Sequence, residues 1–353
     1  MSKLNIAVFF GGCSSEYGVS LQSAAAVMDA IDPARYAIIA VGIAPNGDWL
    51  YYPGGTQAIR EDRWRQDPGC VPALLSPRRG VHELLLLGAH GVKSLPVDAA
   101  FPILHGKNGE DGTIQGLIEL AGIPLVGCGT LASALCMDKD RAHRLAMQAG
   151  VRAPRSKVIH EASPLSRAED FAREAGYPIF VKPVRSGSSF GVTRVTRPEE
   201  LPDARQRAFA HDREVILEEN IDGFEVGCAV LGNKTLLVGD VDEIELSGGF
   251  FDFEEKYTLK TSAIHVPARV PDETAGRIRQ TAMTLYRALG CSGFARVDMF
   301  LTPRGEIVFN EINTIPGFTA HSRYPGMMRS AGYSFEEIVE KLIQEAVSEA
   351  CAS

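Results

Sequence analysis

Short apolar runs that end at glycine, followed by stretches of helical period, set the first expectations for this chain. A parallel strand covered on both faces is apolar at successive positions, and "LNIAVFF", ending at Gly11 and Gly12, fits one. A helix is expected from about Val19 to Ile31, and "YAIIAVGI" is a second such strand. The first third therefore reads as a doubly wound α/β unit that closes near "GIPLVGCG". "LASALCMDKDRAHRLAMQAG" is predicted as one helix ending in glycine, with Asp138 to Arg141 on a charged face. From "YPIFVKP" onward, strands with glycine-bearing turns alternate with helices, as in an α+β body. Glu243 to Pro267 is polar and weakly periodic, which predicts a long functional loop between strands. Near the end, Phe335, Ile338, Val339, Leu342, Ile343 and Val347 form a helical stripe expected to pack on a core.

Composition narrows the partners. At 353 residues, 45% of them hydrophobic, the chain has material for two or three domains. A net charge of -8 gives no reason to expect nucleic acid or an anionic membrane surface, so small solutes are the expected partners. The seven cysteines are scattered without the paired spacing of a zinc site, and their odd number disfavours a complete disulfide set. No apolar run suits a signal peptide or a membrane span, so a cytoplasmic location is expected.

"SGFARVDMFLTPRGEIVFNEIN" makes a geometrical prediction. If Arg304 and Gly305 form a two-residue turn, Asp298 falls opposite Glu311 and Arg296 opposite Asn313. These four then share one face, while Val297, Met299, Val308 and Ile312 share the other. Facing carboxylates repel, and a divalent cation held by hard oxygen ligands would offset that repulsion. The alternative is the solvated face of an edge hairpin.

Other segments are weaker singly. "FVKPVRSGSSFGV" is a strand, Lys182 and a glycine/serine loop able to close over phosphates, although it lacks the Walker A order. "VILEENIDGFEVG" puts Glu218 and Glu219 at a strand end and Glu225 after a turn, an arrangement that suits a nucleoside or merely a charged linker. "LHGKNGEDGTIQG" carries His105 in a polar turn before a helix N-terminus. In "GGCSSEYGVSLQSA", Ser14 or Ser15 would cap a helix and Glu16 would meet an ammonium group.

Taken in order, "FFGGCSSEYGVSLQSA", "LHGKNGEDGTIQG", "SALCMDK", "VKPVRSGSSFGV", "EKY", "GFARVDMF" and "NEINTIPGFTAHS" resemble the D-alanine:D-alanine ligase family of the ATP-grasp superfamily over nearly the whole chain. The resemblance implies three domains, placed here at 1–133, 134–216 and 217–353, with ATP between two antiparallel sheets. It implies nucleotide contacts at Lys139, Lys182, Ser189, Glu218 and Glu225, with Glu219 and Ile221 at the adenine edge and Lys256 near the transferred phosphate. Asp298, Glu311 and Asn313 resemble ligands of two magnesium ions, for which manganese can stand in. Glu16 corresponds to the partner of the first D-alanine's ammonium, and His105 lies near that substrate's carboxylate. Ser188 and Tyr257 match residues that, with Glu16, link the first domain to the loop over the site. Arg296 and the Gly317 amide would stabilise a tetrahedral oxyanion. The family tends to form homodimers.

The second substrate is where the chain departs from the housekeeping ligases. "RSGSSFG" and "HSRYP" look like the vancomycin-resistance branch, and Phe251 with Arg323, next to Ser322, matches a pair associated there with D-serine. An arginine can donate to a desolvated serine hydroxyl, which otherwise costs about 1 to 3 kcal/mol. D-serine is the expected second substrate, with D-alanine the alternative; an arginine paired only with a carboxylate is the bland reading.

Overall fold

The structure, a computed structural model, describes residues 3–246 and 262–350. Phe251, Lys256 and Tyr257 lie outside the described residues.

The first sheet is built from β1 (Leu4–Gly11), β2 (Tyr36–Ile43), β3 (Trp49–Tyr52), β4 (Val71–Leu75), β5 (Glu83–Gly88), β6 (Gly91–Pro96) and β7 (Ala99–Pro102), in the order β6-β5-β4-β3-β2-β1-β7. β1 pairs in parallel with β2 and β7, whereas β3 to β6 extend the sheet as an antiparallel meander. The unbroken apolar run of β1 follows from its place: Ile6, Val8 and Phe10 enter one core, Ala7 and Phe9 another. Helix α1 (Tyr17–Ala30) starts two residues earlier than expected, and a short α2 (Thr56–Arg60) and α3 (Thr113–Ala121) complete this part.

The single helix expected after Gly129 is two, α4 (Thr130–Met137) and α5 (Lys139–Gln148). Asp138 sits between them with extended backbone and accepts the Arg141 N–H at 3.1 Å, an N-cap that starts a new helix. Asp138 is therefore buried rather than part of a charged surface.

A second, antiparallel sheet has the order β10-β9-β11-β8, from β8 (Ser156–His160), β9 (Ile179–Pro183), β10 (Thr193–Val195) and β11 (Glu214–Glu219). Helices α6 (Leu165–Ala175) and α7 (Leu201–Phe209) pack on it. β11 runs to Glu219, three residues past the boundary drawn at 216.

The third sheet is also antiparallel, order β14-β13-β12-β15-β16, from β12 (Phe224–Gly232), β13 (Leu236–Leu246), β14 (Ser262–His265), β15 (Phe294–Leu301) and β16 (Ile307–Asn313). The loop expected over 243–267 is thus strand at both ends: Glu243 pairs with His265 and Ile244 with Ile264. Helix α8 (Asp272–Ala288) covers one face of this sheet, and α9 (Arg323–Ser330) and α10 (Phe335–Ala350) follow. The apolar stripe of α10 packs as expected. Ile338, Val339, Leu342 and Ile343 join one core with Val8 and Phe10 of the first sheet and Leu231 and Phe294 of the third. Burying each such side chain is worth about 1.5–3 kcal/mol, enough to dock the first and third sheets firmly.

Candidate active site

The β15–β16 hairpin brings together the pairs its sequence predicts, by a different route. Arg296 lies opposite Asn313 and Asp298 opposite Glu311, but Met299 pairs with Phe309 and Leu301 with Ile307. The turn has three residues, Pro303 to Gly305, closed by Thr302 and Glu306, with Gly305 at φ 76. The register is restored by a bulge in which Asn310 is the extra residue. One residue gained in the turn and one in the bulge cancel beyond the bulge, so the expected pairing returns at Asp298–Glu311, Val297–Ile312 and Arg296–Asn313 but not at Met299, Phe300 and Leu301. Val308, expected beside Val297 and Met299, instead pairs with Phe300, and Phe309 takes its place in the core with Val297, Met299 and Ile312.

Across the sheet, Asp298 pairs with Gly227 of β12, and Gly227 with Asp242 of β13. This aligns Asp242, Asp298 and Glu311 in one row with a gap at Gly227. Arg323, at the start of α9, fills the gap. Its Nε and Nη2 donate to Asp242 at 2.7 and 2.9 Å, its Nη1 to Glu225 at 2.9 Å, and Nη2 lies 3.3 Å from Asp298. A Cβ on Gly227 would stand 2.5 Å from both Arg323 Nη2 and Asp242 Oδ1, so only glycine leaves room. Burial lowers the proton affinity of this guanidinium, yet Asp242 and then Asp298 outweigh it and hold Arg323 well above its ordinary value. Arg296 grips Asp298 with Nε at 2.8 Å and Nη2 at 2.7 Å. Asn313 gives its Nδ2 to Asp298 at 2.8 Å, which turns its amide oxygen away from that carboxylate. Arginines therefore balance the buried carboxylates within the protein itself. Among the described residues no three His, Cys, Asp or Glu side chains converge as a ready-made metal centre. Two carboxylates and an amide oxygen are instead a donor set that suits magnesium shared with phosphates.

Two clefts meet at this hairpin. One, of about 610 Å³, lies between the second and third sheets and is lined by Lys139, Lys182, Ser189, Glu218, Glu219, Ile221 and Glu225. Lys182 donates to Glu218 at 2.6 Å. Burial pushes the Glu218 carboxyl up, but its basic neighbours, Lys182 foremost, together outweigh burial and hold it below the usual value. Its Oε1 has no hydrogen-bond partner. A buried carboxylate oxygen in that condition asks for a donor, which an adenine amino group carries, and the cleft fits a nucleotide on this count. Glu219 is bound by Arg155 at 2.7 Å, and Lys139 donates to Ser186 O at 2.7 Å in the glycine/serine loop.

The second cleft, about 680 Å³, is lined by Glu16, His105, Ser188, Arg296, Asn313, Gly317, Ser322 and Arg323. Lys139, Ser186 and Glu311 line both clefts. Ser188, at φ 45, donates to Glu16 Oε1 and ties the loop to the first residue of the α1 turn. Neither Ser14 nor Ser15 caps α1; Ser14 Oγ donates to His105 O at 2.6 Å and accepts the Glu16 N–H at 3.1 Å. His105 is buried with Nδ1 2.8 Å from Ile315 O and Nε2 3.1 Å from Ser23 Oγ, so both ring nitrogens are committed within the protein. Ser322 Oγ accepts the Thr319 N–H at 3.1 Å.

Residues 5–128 match the family described as D-ala D-ala ligase N-terminus, and 145–344 that described as D-ala D-ala ligase C-terminus. The chain belongs to the D-ala D-ala ligase family. The ligase is 46% identical over 340 residues to the vancomycin C-type resistance protein VanC1 of Enterococcus gallinarum, covering 96% of this chain and 97% of that one. It is 39% identical over 352 residues to a D-alanine–D-alanine ligase of Caldicellulosiruptor bescii, covering 98% and 96%. The VanG D-Ala:D-Ser ligase of Enterococcus faecalis superposes with a TM-score of 0.91 at 54% identity, over 98% of this chain and 100% of that one. The three-sheet architecture is the ATP-grasp fold of these ligases, and this chain is an ATP-dependent ligase. No described helix is long and apolar enough to cross a membrane.

Two residues of the ligase site are missed in the sequence, Asp242 and Gly227, which build the Arg323 seat. Glu110, in the polar turn "LHGKNGEDGTIQG" that the sequence marks as a candidate, lines the second cleft, where its Oε2 accepts the Gly106 N–H at 2.7 Å. Burial and then Glu16 hold the Glu110 carboxyl well above the usual carboxylate range. A glycine inside the apolar strand "EVGCAV" was the available signal for Gly227.

Proposed function

We propose that this ligase joins D-alanine to D-serine in the cytoplasm through a D-alanyl phosphate, for peptidoglycan precursor synthesis. The observation that supports the reaction best is the junction of two clefts at Glu311 and Lys139, since a phosphoryl group must pass from a nucleotide to an amino acid at a shared wall. When bound, ATP with magnesium supplies the phosphoryl group that turns a carboxylate, a poor acyl donor, into a good one. Lys139, Lys182, Ser189, Glu218, Glu219, Ile221 and Glu225 hold the nucleotide in this reading, and Asp298, Glu311 and Asn313 hold two magnesium ions. Glu16 receives the ammonium of the first D-alanine, while Ser188 keeps Glu16 aimed and ties it to the covering loop. His105 has spent both ring nitrogens, so it shapes the carboxylate end of that subsite rather than gripping it. Arg296 and the Gly317 amide stabilise the oxyanion that forms when the second amine attacks.

Arg323 is the support for D-serine. Three of its N–H groups are engaged by Asp242 and Glu225, and the residue still lines the amino-acid cleft beside Ser322. Held so, its orientation is fixed, and a further N–H can meet the serine hydroxyl directly or through water. The D-Ala:D-Ser ligase at 54% identity is consistent with this choice. The same ion pairs favour the second reading, an ordinary D-alanine:D-alanine ligase, in which Arg323 serves only to neutralise Asp242 and Glu225. Offering ATP, magnesium and D-alanine with D-alanine, D-serine and D-lactate in competition, and weighing the products, decides between them. Mainly D-alanyl-D-serine is expected; mainly D-alanyl-D-alanine would overturn the substrate and leave the reaction.

A further inference from the structure

The bulge at Asn310 solves a conflict that the sequence creates. Phe309 is wholly buried and must face the core, while Glu311 must face the polar row. A regular strand cannot do both, because residues two apart share a face, and the three-residue turn that exists sets a pairing one residue out from that of the polar pairs. Without the extra residue, Asp298 would meet Asn310 and Glu311 would turn into the core. A bulge leaves backbone groups outside the ladder, and these need partners of their own.

His143 supplies one. It lies on α5, one turn after Lys139, and is 1% exposed. Its Nε2 donates to Asn310 O at 3.1 Å, and its ring meets Phe309 edge to face at 5.7 Å between centroids. Its Nδ1 has no hydrogen-bond partner, so the ring's polar contact is spent on the bulge. Burial holds the imidazole below its ordinary value, hence neutral with a single N–H. We propose that His143 is a positioning residue which pins the bulged carbonyl of Asn310 and thereby sets Glu311 opposite Asp298 for divalent-cation binding. This deepens the metal reading given above and rests on it. It also makes α5 a rigid link, with Lys139 holding the glycine/serine loop and His143 holding the hairpin.

The test needs no turnover. Manganese(II) is titrated into the full chain with saturating ADP, and the free ion is read by electron paramagnetic resonance. His143→Leu keeps bulk against Phe309 but has no donor, and should bind the ion about ten-fold more weakly, as outer-shell changes do. His143→Gln, whose amide nitrogen reaches to the same place, should restore binding, and the KM for D-alanine should be unchanged in both. His143→Met, a second side chain without a donor, serves if the leucine variant does not fold. Binding as tight as the parent's in the leucine or methionine variant, or equal weakening in the glutamine variant, overturns the role of His143 alone. A parent chain that takes up no manganese with ADP overturns the metal reading itself.

Discussion

At the hairpin, both oxygens of Asp298 are engaged, by Arg296 at 2.7 to 3.0 Å and by Asn313 at 2.8 Å, with Arg323 a further 3.3 Å from Oδ1. Across the shared wall, Glu218 gives one oxygen to Lys182 and leaves the other without a hydrogen bond. Both carboxylates are almost wholly buried, so the difference lies in partners rather than in solvent. The hairpin holds itself together electrostatically, and an arriving cation must compete with guanidinium groups for Asp298. The nucleotide cleft carries an unspent acceptor, whose desolvation cost a ligand can relieve. Stability should therefore depend on the hairpin cluster, and nucleotide affinity on the cleft.

Removing the grip on Asp298 tests the first half of that contrast with the largest expected effect. Arg296→Ala should lower kcat by about 10²- to 10³-fold, the usual loss for an oxyanion donor, while ATP binding by calorimetry stays near that of the parent. Normal turnover would remove Arg296 from the chemistry. Next in size is the seat of Arg323. Asp242→Asn strips a buried guanidinium of its best partner, and breaking one side of a buried pair costs about 3–5 kcal/mol. Scanning calorimetry should show the melting temperature falling by roughly 6 °C or more. Gly227→Ala should act in the same direction, since its Cβ would enter the 2.5 Å gap that Arg323 and Asp242 leave. An unchanged melting point in both would mean the cluster stabilises nothing.

Glu218→Gln tests the other half and should act on binding rather than folding. The amide keeps an oxygen but presents a weaker acceptor and loses the charge that steadies Lys182 at 2.6 Å. The KM for ATP should rise about ten-fold, the worth of one hydrogen bond to a charged group, with the KM for D-alanine unchanged. Equal changes in both constants would mean that the two clefts are not separable.

The same contrast explains which parts of the site could be read beforehand. Segments whose residues act near one another in sequence were legible: the β15–β16 pairing, Lys182 at a strand end, Glu16 before α1. Even there the pairing arose from a turn one residue longer than expected and a bulge that compensated for it, and only the misassigned face of Val308 betrays the substitution. The helix break at Asp138 was also written locally, as a capping residue two positions before Asp140, but the apolar period on either side masked it. What was not legible is the convergence of distant strands. Asp242 on β13, Gly227 on β12 and Arg323 on α9 meet only because the sheet order places β12 between β13 and β15. No spacing along the chain reports that neighbourhood, so the sequence sets Arg323 toward a substrate, whereas it also faces three acids of its own protein, Asp242, Glu225 and Asp298.

The smallest effect is expected where an acid near the edge of the same sheet is paired in partial contact with water. Glu243 accepts the Arg269 N–H at 2.9 Å and its Nη2 at 2.6 Å, and these hydrogen bonds hold the Glu243 carboxyl below the usual value. A carboxyl depressed on folding adds stability that is complete above its unfolded pKa, about 4.3, and is lost as pH falls through the folded value. Arg269 is half exposed, so solvent screens the pair and the gain is small. Arg269→Met should thus melt slightly below the parent at pH 7, and the two melting curves should converge as the buffer is taken below about pH 4. The Arg323 cluster, with Asp242 covered and only 8% of the Arg323 side chain exposed, is screened far less, so the Asp242→Asn deficit at pH 7 should exceed the Arg269→Met deficit several-fold. If the two deficits were equal, burial would not be what separates the hairpin cluster from an ordinary surface pair.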